Sequence, residues 1–249
     1  MHQDLSPEVF DQHRVDGEVQ TPQPLRILDL CSGSGCISLL LYSLLHKRIP
    51  NVKICGYDIS EEANKLSIEN LRDADKNFFN HRSPIEFRQV DIFAEPEQLR
   101  MDPGVKTIDI LISNPPYISH KEFYKSTARS VRNFEPKLAL VPMGRQPGHD
   151  LQFFHRLISL HEYFQSRVLI METSGREQCL EVARYALGIT REHDRIEIWK
   201  DWPGQGPLPD EVDAIPEDHR GDGFPVRGSG SYRSVVLIRH PEPERRLSL

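Results

Sequence analysis

The chain has no long hydrophobic run. No apolar stretch approaches the roughly 20 residues a membrane-spanning helix needs, so a membrane protein is not expected. Its four cysteines, Cys31, Cys36, Cys55 and Cys179, show no paired spacing. That excludes a disulfide framework of the secreted kind and points to a reducing compartment. No Cys-x-x-Cys or His-x-x-x-His occurs, despite 11 histidines, so no metal is assigned. A Gly-x-Ser-x-Gly elbow and a Gly-Lys-Ser/Thr loop are also missing, which removes the simplest routes to a hydrolase or a P-loop nucleotidase. Positive charge is not in excess: the formal net charge is -6. A protein whose affinity comes from nucleic-acid phosphates is therefore disfavoured. The first 20 residues carry acidic groups throughout and a single Arg, the wrong composition for a secretory signal or a transit peptide.

What is present fits one large α/β domain with appendages. Residues 1–24 read as a polar leader, 25–240 as the domain and 241–249 as a charged tail. Within the domain, 203–230 is rich in Pro, Gly and acidic residues and is expected to be a flexible insertion. Strands are expected at 25–30, 52–57, 85–90, 108–113 and 167–172, with helices at 36–47, 61–73, 150–163 and 177–187. Two further β-prone runs, 195–200 and 232–239, should pair antiparallel. Residues 118–147 read as a long loop with the length and position to cover a site.

The chemistry sits where strands end. Asn114-Pro115-Pro116-Tyr117 follows the apolar run 108–113 directly, so the strand stops at Pro-Pro and delivers Asn114 to the carboxyl edge of the sheet. Asn can accept a hydrogen from an NH2 group without carrying charge, and the prolines present carbonyls on a stiff backbone. Tyr117 offers a flat wall. Upstream, Asp29-Leu30-Cys31-Ser32-Gly33-Ser34-Gly35 joins a strand to a helix, and alternate glycines let backbone approach a ligand closely. Asp58 ends the next strand, where a carboxylate can accept both ribose hydroxyls of a nucleoside, and Asp91 ends the third. Each Asp alone is equally a turn former or a helix cap. Together, four strand ends of this kind imply a nucleoside-bearing ligand beside an NH2 acceptor.

These residues resemble the class I S-adenosylmethionine-dependent methyltransferases that modify planar NH2 nitrogens. The following Phe134-Glu135-Pro136-Lys137-Leu138-Ala139-Leu140 narrows the likeness to the HemK/PrmC-type release factor glutamine N5-methyltransferases, in their mitochondrial eukaryotic branch. The resemblance implies a seven-stranded Rossmann-like sheet, mostly parallel, with an antiparallel C-terminal hairpin. It implies S-adenosylmethionine as cofactor, with Asp29 and Cys31, Ser32, Gly33, Ser34 and Gly35 around its methionine end. Asp58 would take the ribose, and Asp91 with Ile92 the adenine. Asn114, Pro115, Pro116 and Tyr117 would hold the glutamine side chain, Asn114 also bordering the cofactor. The implied partner is a peptide chain release factor bearing Gly-Gly-Gln, and the implied location is mitochondrial. The helical amino-terminal domain and Arg-Pro-x-Thr-like segment usual in that family are not recognisable here. Two other readings share the pattern: an adenine or guanine amino methyltransferase acting on nucleic acid, and a non-catalytic cofactor-binding module.

Overall fold

The structure, a computed structural model, describes residues 23–79, 83–125, 127–142, 151–191, 194–206 and 223–240. The leader and tail expected at the two ends fall almost wholly outside them. The chain opens with strand β1 (Leu25–Leu30), helix α1 (Cys36–Leu45), β2 (Val52–Asp58), α2 (Glu61–Ala74), β3 (Ile85–Gln89) and β4 (Ile110–Ser113). Three short helices follow, α3 (His120–Lys125), α4 (Arg129–Phe134) and α5 (Lys137–Leu140). Then come α6 (Gln152–Phe164), β5 (Val168–Glu172), α7 (Arg176–Leu187), β6 (Arg195–Trp202), β7 (Val226–Arg227) and β8 (Ser229–Ile238).

The strands form one sheet in the order β3-β2-β1-β4-β5-β8-β6-β7. The first five are mutually parallel, and β8 runs antiparallel to both β5 and β6. β1 shows why the sheet is covered on both faces. Its alternate residues enter two separate clusters, Leu25 and Ile27 with α1 and α2, Leu28 and Leu30 with α6 and α7. A central parallel strand buried on both sides is a near-continuous apolar run, as Leu25–Leu30 is. The start of α2 follows local chemistry: the Ser60 hydroxyl accepts from the Ala63 N–H at 3.2 Å, and Glu61 and Glu62 occupy the positive end of the helix.

Three expectations change. The sheet has eight strands among the described residues rather than seven, because Val226–Arg227 adds a short parallel edge to β6. Of the expected insertion at 203–230, residues 226–227 and 229–230 are strand, and 207–222 lie outside the described residues. The expected loop at 118–147 holds the three short helices α3 to α5 in its described part, and 143–147 lie outside the described residues. Pro136 separates α4 from α5, and Ile118 N–H bonded to the Leu140 carbonyl at 2.9 Å closes the excursion.

Candidate functional site

The strand order turns from leftward to rightward between β1 and β4, and a crevice opens there at the carboxyl ends of the strands. Each functional side chain reaches it from a strand end. After β1 the backbone turns through left-handed conformations at Cys31 (φ 61), Gly33 (φ 53) and Gly35 (φ 80). Gly35 is demanded twice, since an added Cβ would also lie 2.5 Å from Cζ of Phe87. The Asp58 carboxylate at the end of β2 ties this turn to the next helix. Its Oδ2 accepts from the Gly33 N–H and its Oδ1 from the Ser60 N–H, both at 2.9 Å.

A cleft of about 240 Å³ lies over these strand ends, with Cys31, Gly33, Asp58, Asp91, Ile92, Asn114 and Pro116 in its walls. The sequence-derived set therefore divides. Asp29, Ser32, Ser34 and Gly35 do not line the cleft but build the turn beneath it. The Ser32 N–H donates to the Tyr57 carbonyl at 3.1 Å, and the Ser34 carbonyl accepts from Asn70 Nδ2 at 2.9 Å. Asp29 is fully buried; Ser38 Oγ donates to its Oδ2 at 2.7 Å, and its Oδ1 has no partner among the described residues. Burial pushes this carboxyl up to about 7, against the Ser38 hydrogen bonds and with some help from the charge of Asp58. The Cys31 thiol is pushed up to about 12 by burial and then by Asp58, so it is neutral and no nucleophile.

The lip emerges from β4. Ser113 Oγ donates to the Leu30 carbonyl at 2.7 Å, locking the last residue of β4 onto the last residue of β1. Asn114 is then exposed on the cleft wall, its amide hydrogen-bonded to no described residue, while Pro115 and Pro116 are buried. Pro115 and Tyr117 stand outside the cleft wall. The Tyr117 ring packs against the main core and its hydroxyl donates to Glu172 Oε1 at 3.2 Å. Burial, then the charge of Glu172, pushes that phenol up to about 12, so it stays a donor at neutral pH.

Other segments complete the site, and only some of them were singled out in the sequence. Pro136, Leu138 and Ala139 roof the cleft from the helical excursion, as its position after the lip foretold. Phe153 of α6 lines the cleft and meets Phe93 edge to face at 5.0 Å. Arg156 donates from Nε to the Ile92 carbonyl at 2.8 Å and from Nη2 to the Ala94 carbonyl, holding the loop after Asp91. No local pattern marks a helix Arg for that task. Among the described residues, His161, Glu162 and Asp194 could approach one cation, but this cluster lies away from the cleft wall and Glu162 is paired with Arg239.

Comparison with known proteins fits the geometry. A family model described as a methyltransferase domain matches residues 23–145. The chain is 42% identical over 119 residues to the probable MRF1 mitochondrial N(5)-glutamine methyltransferase mtq1 of Schizosaccharomyces pombe, covering 48% of this chain and 36% of that protein. It is 37% identical over 150 residues to a release factor glutamine methyltransferase of Chlamydia trachomatis, covering 60% and 43%. A third relative of the same name, from Thermodesulfovibrio yellowstonii, is 32% identical over 180 residues, covering 72% and 56%. The match thus spans well under two thirds of these relatives. In fold, a delta-N METTL16 MTase domain superposes with a TM-score of 0.51 at 11% identity, covering 89% of this chain and 77% of that one.

The cofactor of such a domain is S-adenosylmethionine, and the residues present fit it. Asp58 and Asp91 face the cleft at neighbouring strand ends, Phe93 and Phe153 add aromatic surface, and an unpartnered carboxylate oxygen of Asp29 lies under the turn. The fold is that of the class I methyltransferases, residues 23–145 match a methyltransferase domain, and the chain is similar in sequence to proteins named release factor glutamine methyltransferase.

Proposed function

We propose that this protein methylates the side-chain amide nitrogen of the glutamine in the Gly-Gly-Gln motif of a peptide chain release factor, with S-adenosylmethionine as methyl donor. The observation that carries the reading is Asn114. It stands exposed on the wall of the cleft, its amide free of described partners, one residue past a strand whose end is locked to Leu30 at the end of β1. The names of the relatives supply the substrate class, and the Glu135 to Leu140 stretch that narrowed the sequence likeness supplies part of the cleft roof.

An amide nitrogen is a poor nucleophile because its lone pair is shared with the carbonyl, so the work of this chain is orientation. In this reading the Asn114 side-chain oxygen and the Pro115 carbonyl accept the two N–H bonds of the glutamine and turn the nitrogen face into the cleft. The bound cofactor supplies an electrophilic methyl on a sulfonium. As positive charge develops on the nitrogen, the two acceptors oppose it. Orientation can contribute about 7 to 11 kcal/mol and each hydrogen bond to a charging group about 1.5 to 3, so orientation dominates. No strong general base is required, since a methylated amide nitrogen is acidic enough to give its proton to water. Asp58 and Asp91 hold the nucleoside end, with Ile92, while Asp29 and the turn from Cys31 through Gly35 shape the methionine end. Mitochondrial location belongs to the same proposal and rests on the fission yeast relative's name. Incubation with labelled S-adenosylmethionine and either a release factor or nucleic acid tests it: label in the release factor is expected. Label in nucleic acid alone would favour the base-methylating alternative.

A further inference from the structure

The lip is held from the far end as well as from β4. Tyr117 is gripped at two atoms by residues 55 and 61 positions further along the chain. Its hydroxyl donates to Glu172, the last residue of β5, and its backbone carbonyl accepts from Gln178 Nε2 at 3.2 Å, in the first turns of α7. Gln178 is itself oriented, since its Oε1 accepts from the Ser174 N–H at 2.8 Å. Glu172 is backed by Arg233 of β8, Nη1 to Oε1 at 3.9 Å, and Arg233 is fixed in turn by Asp201 of β6 at 2.8 Å. With Ser113 pinned to Leu30, the segment between has little freedom: two buried prolines, clamped at both ends.

We infer that Glu172 and Gln178 are positioning residues for the methyl-acceptor site, setting Asn114 through Tyr117. This rests on the glutamine-methyltransferase reading. Neither residue lines the cleft, so neither acts on substrate directly. The two grips do different things. Gln178 fixes the height of the Tyr117 backbone, and Glu172 fixes the ring, whose hydroxyl has no other described partner. Loss of either lets the Pro116–Tyr117 segment swing and moves the acceptor atoms one and two residues upstream. A misplacement of about 1 Å costs about 100-fold in rate.

The test uses Glu172→Ala, Glu172→Gln and Tyr117→Phe in the full chain, with a release factor as methyl acceptor. Glu172→Ala is expected to lower kcat about 10- to 100-fold while the dissociation constant for S-adenosylmethionine stays within about threefold. Glu172→Gln keeps an oxygen for the Tyr117 hydroxyl and should restore most of the rate. Tyr117→Phe removes the same hydrogen bond without touching Glu172, and the double variant should be no slower than the worse single one. Undiminished turnover in Glu172→Ala, a Gln variant as slow as the Ala variant, or multiplicative losses in the double variant would each overturn the inference. If the unaltered chain methylates no release factor, the glutamine reading fails, and hydrogen exchange decides the brace. Faster exchange at the amides of Asn114, Tyr117 and Ile118 in Glu172→Ala supports it, and unchanged exchange refutes it.

Discussion

Replacing Asp29 by Asn should change how stability depends on pH, and the structure sets the size. Asp29 is fully buried and its carboxyl is raised from 3.8 to about 7, burial being the main cause. Below pH 4 the folded and unfolded chains both hold the proton, and Asp29 carries no penalty. As pH rises from 4 to 7 the unfolded chain gives up the proton while the folded chain keeps it, so stability falls. Above pH 7 both are ionised and the loss is complete, about 4 kcal/mol at about 1.4 per unit. Between pH 5 and pH 8 the wild-type chain should therefore lose about 2.5 kcal/mol that the Asn variant does not lose. Asn keeps an oxygen for the Ser38 hydroxyl, though its NH2 faces the spot where Asp29 Oδ1 has no described partner. That adds a pH-independent cost of about 1 to 3 kcal/mol, so the slope and not the offset is diagnostic. Urea unfolding of both proteins at pH 5, 6, 7 and 8 reads the slope. Parallel profiles would refute the claim that Asp29 is buried as a neutral acid.

Other expectations follow from single contacts. Asp58→Ala removes the carboxylate that holds the Gly33 and Ser60 amides as well as a cleft wall, and should weaken S-adenosylmethionine by about 10- to 100-fold in calorimetric titration. Turnover at saturating cofactor should fall much less. Asn114→Ala should do the reverse, cutting methyl transfer about 100-fold or more with cofactor affinity nearly unchanged, as kinetics and titration together would show. Gly56→Ala places a Cβ 2.5 Å from two Phe87 ring atoms in the core between β2 and β3, and should destabilise by about 1 to 3 kcal/mol in thermal melts.

Much of the fold was legible because its physics is local. Leu25 to Leu30 and Ile110 to Ser113 are apolar runs closed by turn chemistry, and the Ser60 cap with two acids after it marks α2. The order of the last strands was not legible. β8 inserts between β5 and β6, and nothing in the Tyr232 to Arg239 pattern chooses between an inner and an outer place. Within the site, residues at strand ends were readable by position: Asp58, Asp91 and Asn114 face the cleft. Their supports were not. Arg156, Glu172 and Gln178 act through main-chain carbonyls or a hydroxyl brought near by tertiary packing, and a side chain that holds another segment leaves no periodic trace in its own. Asp29 and Tyr117 show the opposite limit: the resemblance put Asp29, and residue type Tyr117, beside the ligand, while in the fold neither lines the cleft, Asp29 being fully buried and Tyr117 packed against the core.

The central claim is that the Asn114 lip presents a glutamine amide to the methyl donor. The direct measurement is tandem mass spectrometry of a release factor incubated with the full chain and S-adenosylmethionine. A single methyl on the glutamine nitrogen of Gly-Gly-Gln, lost with Asn114→Ala, is the predicted result. A release factor left unmethylated, or methylated elsewhere, or an Asn114→Ala chain that methylates as well as the wild type, would contradict it.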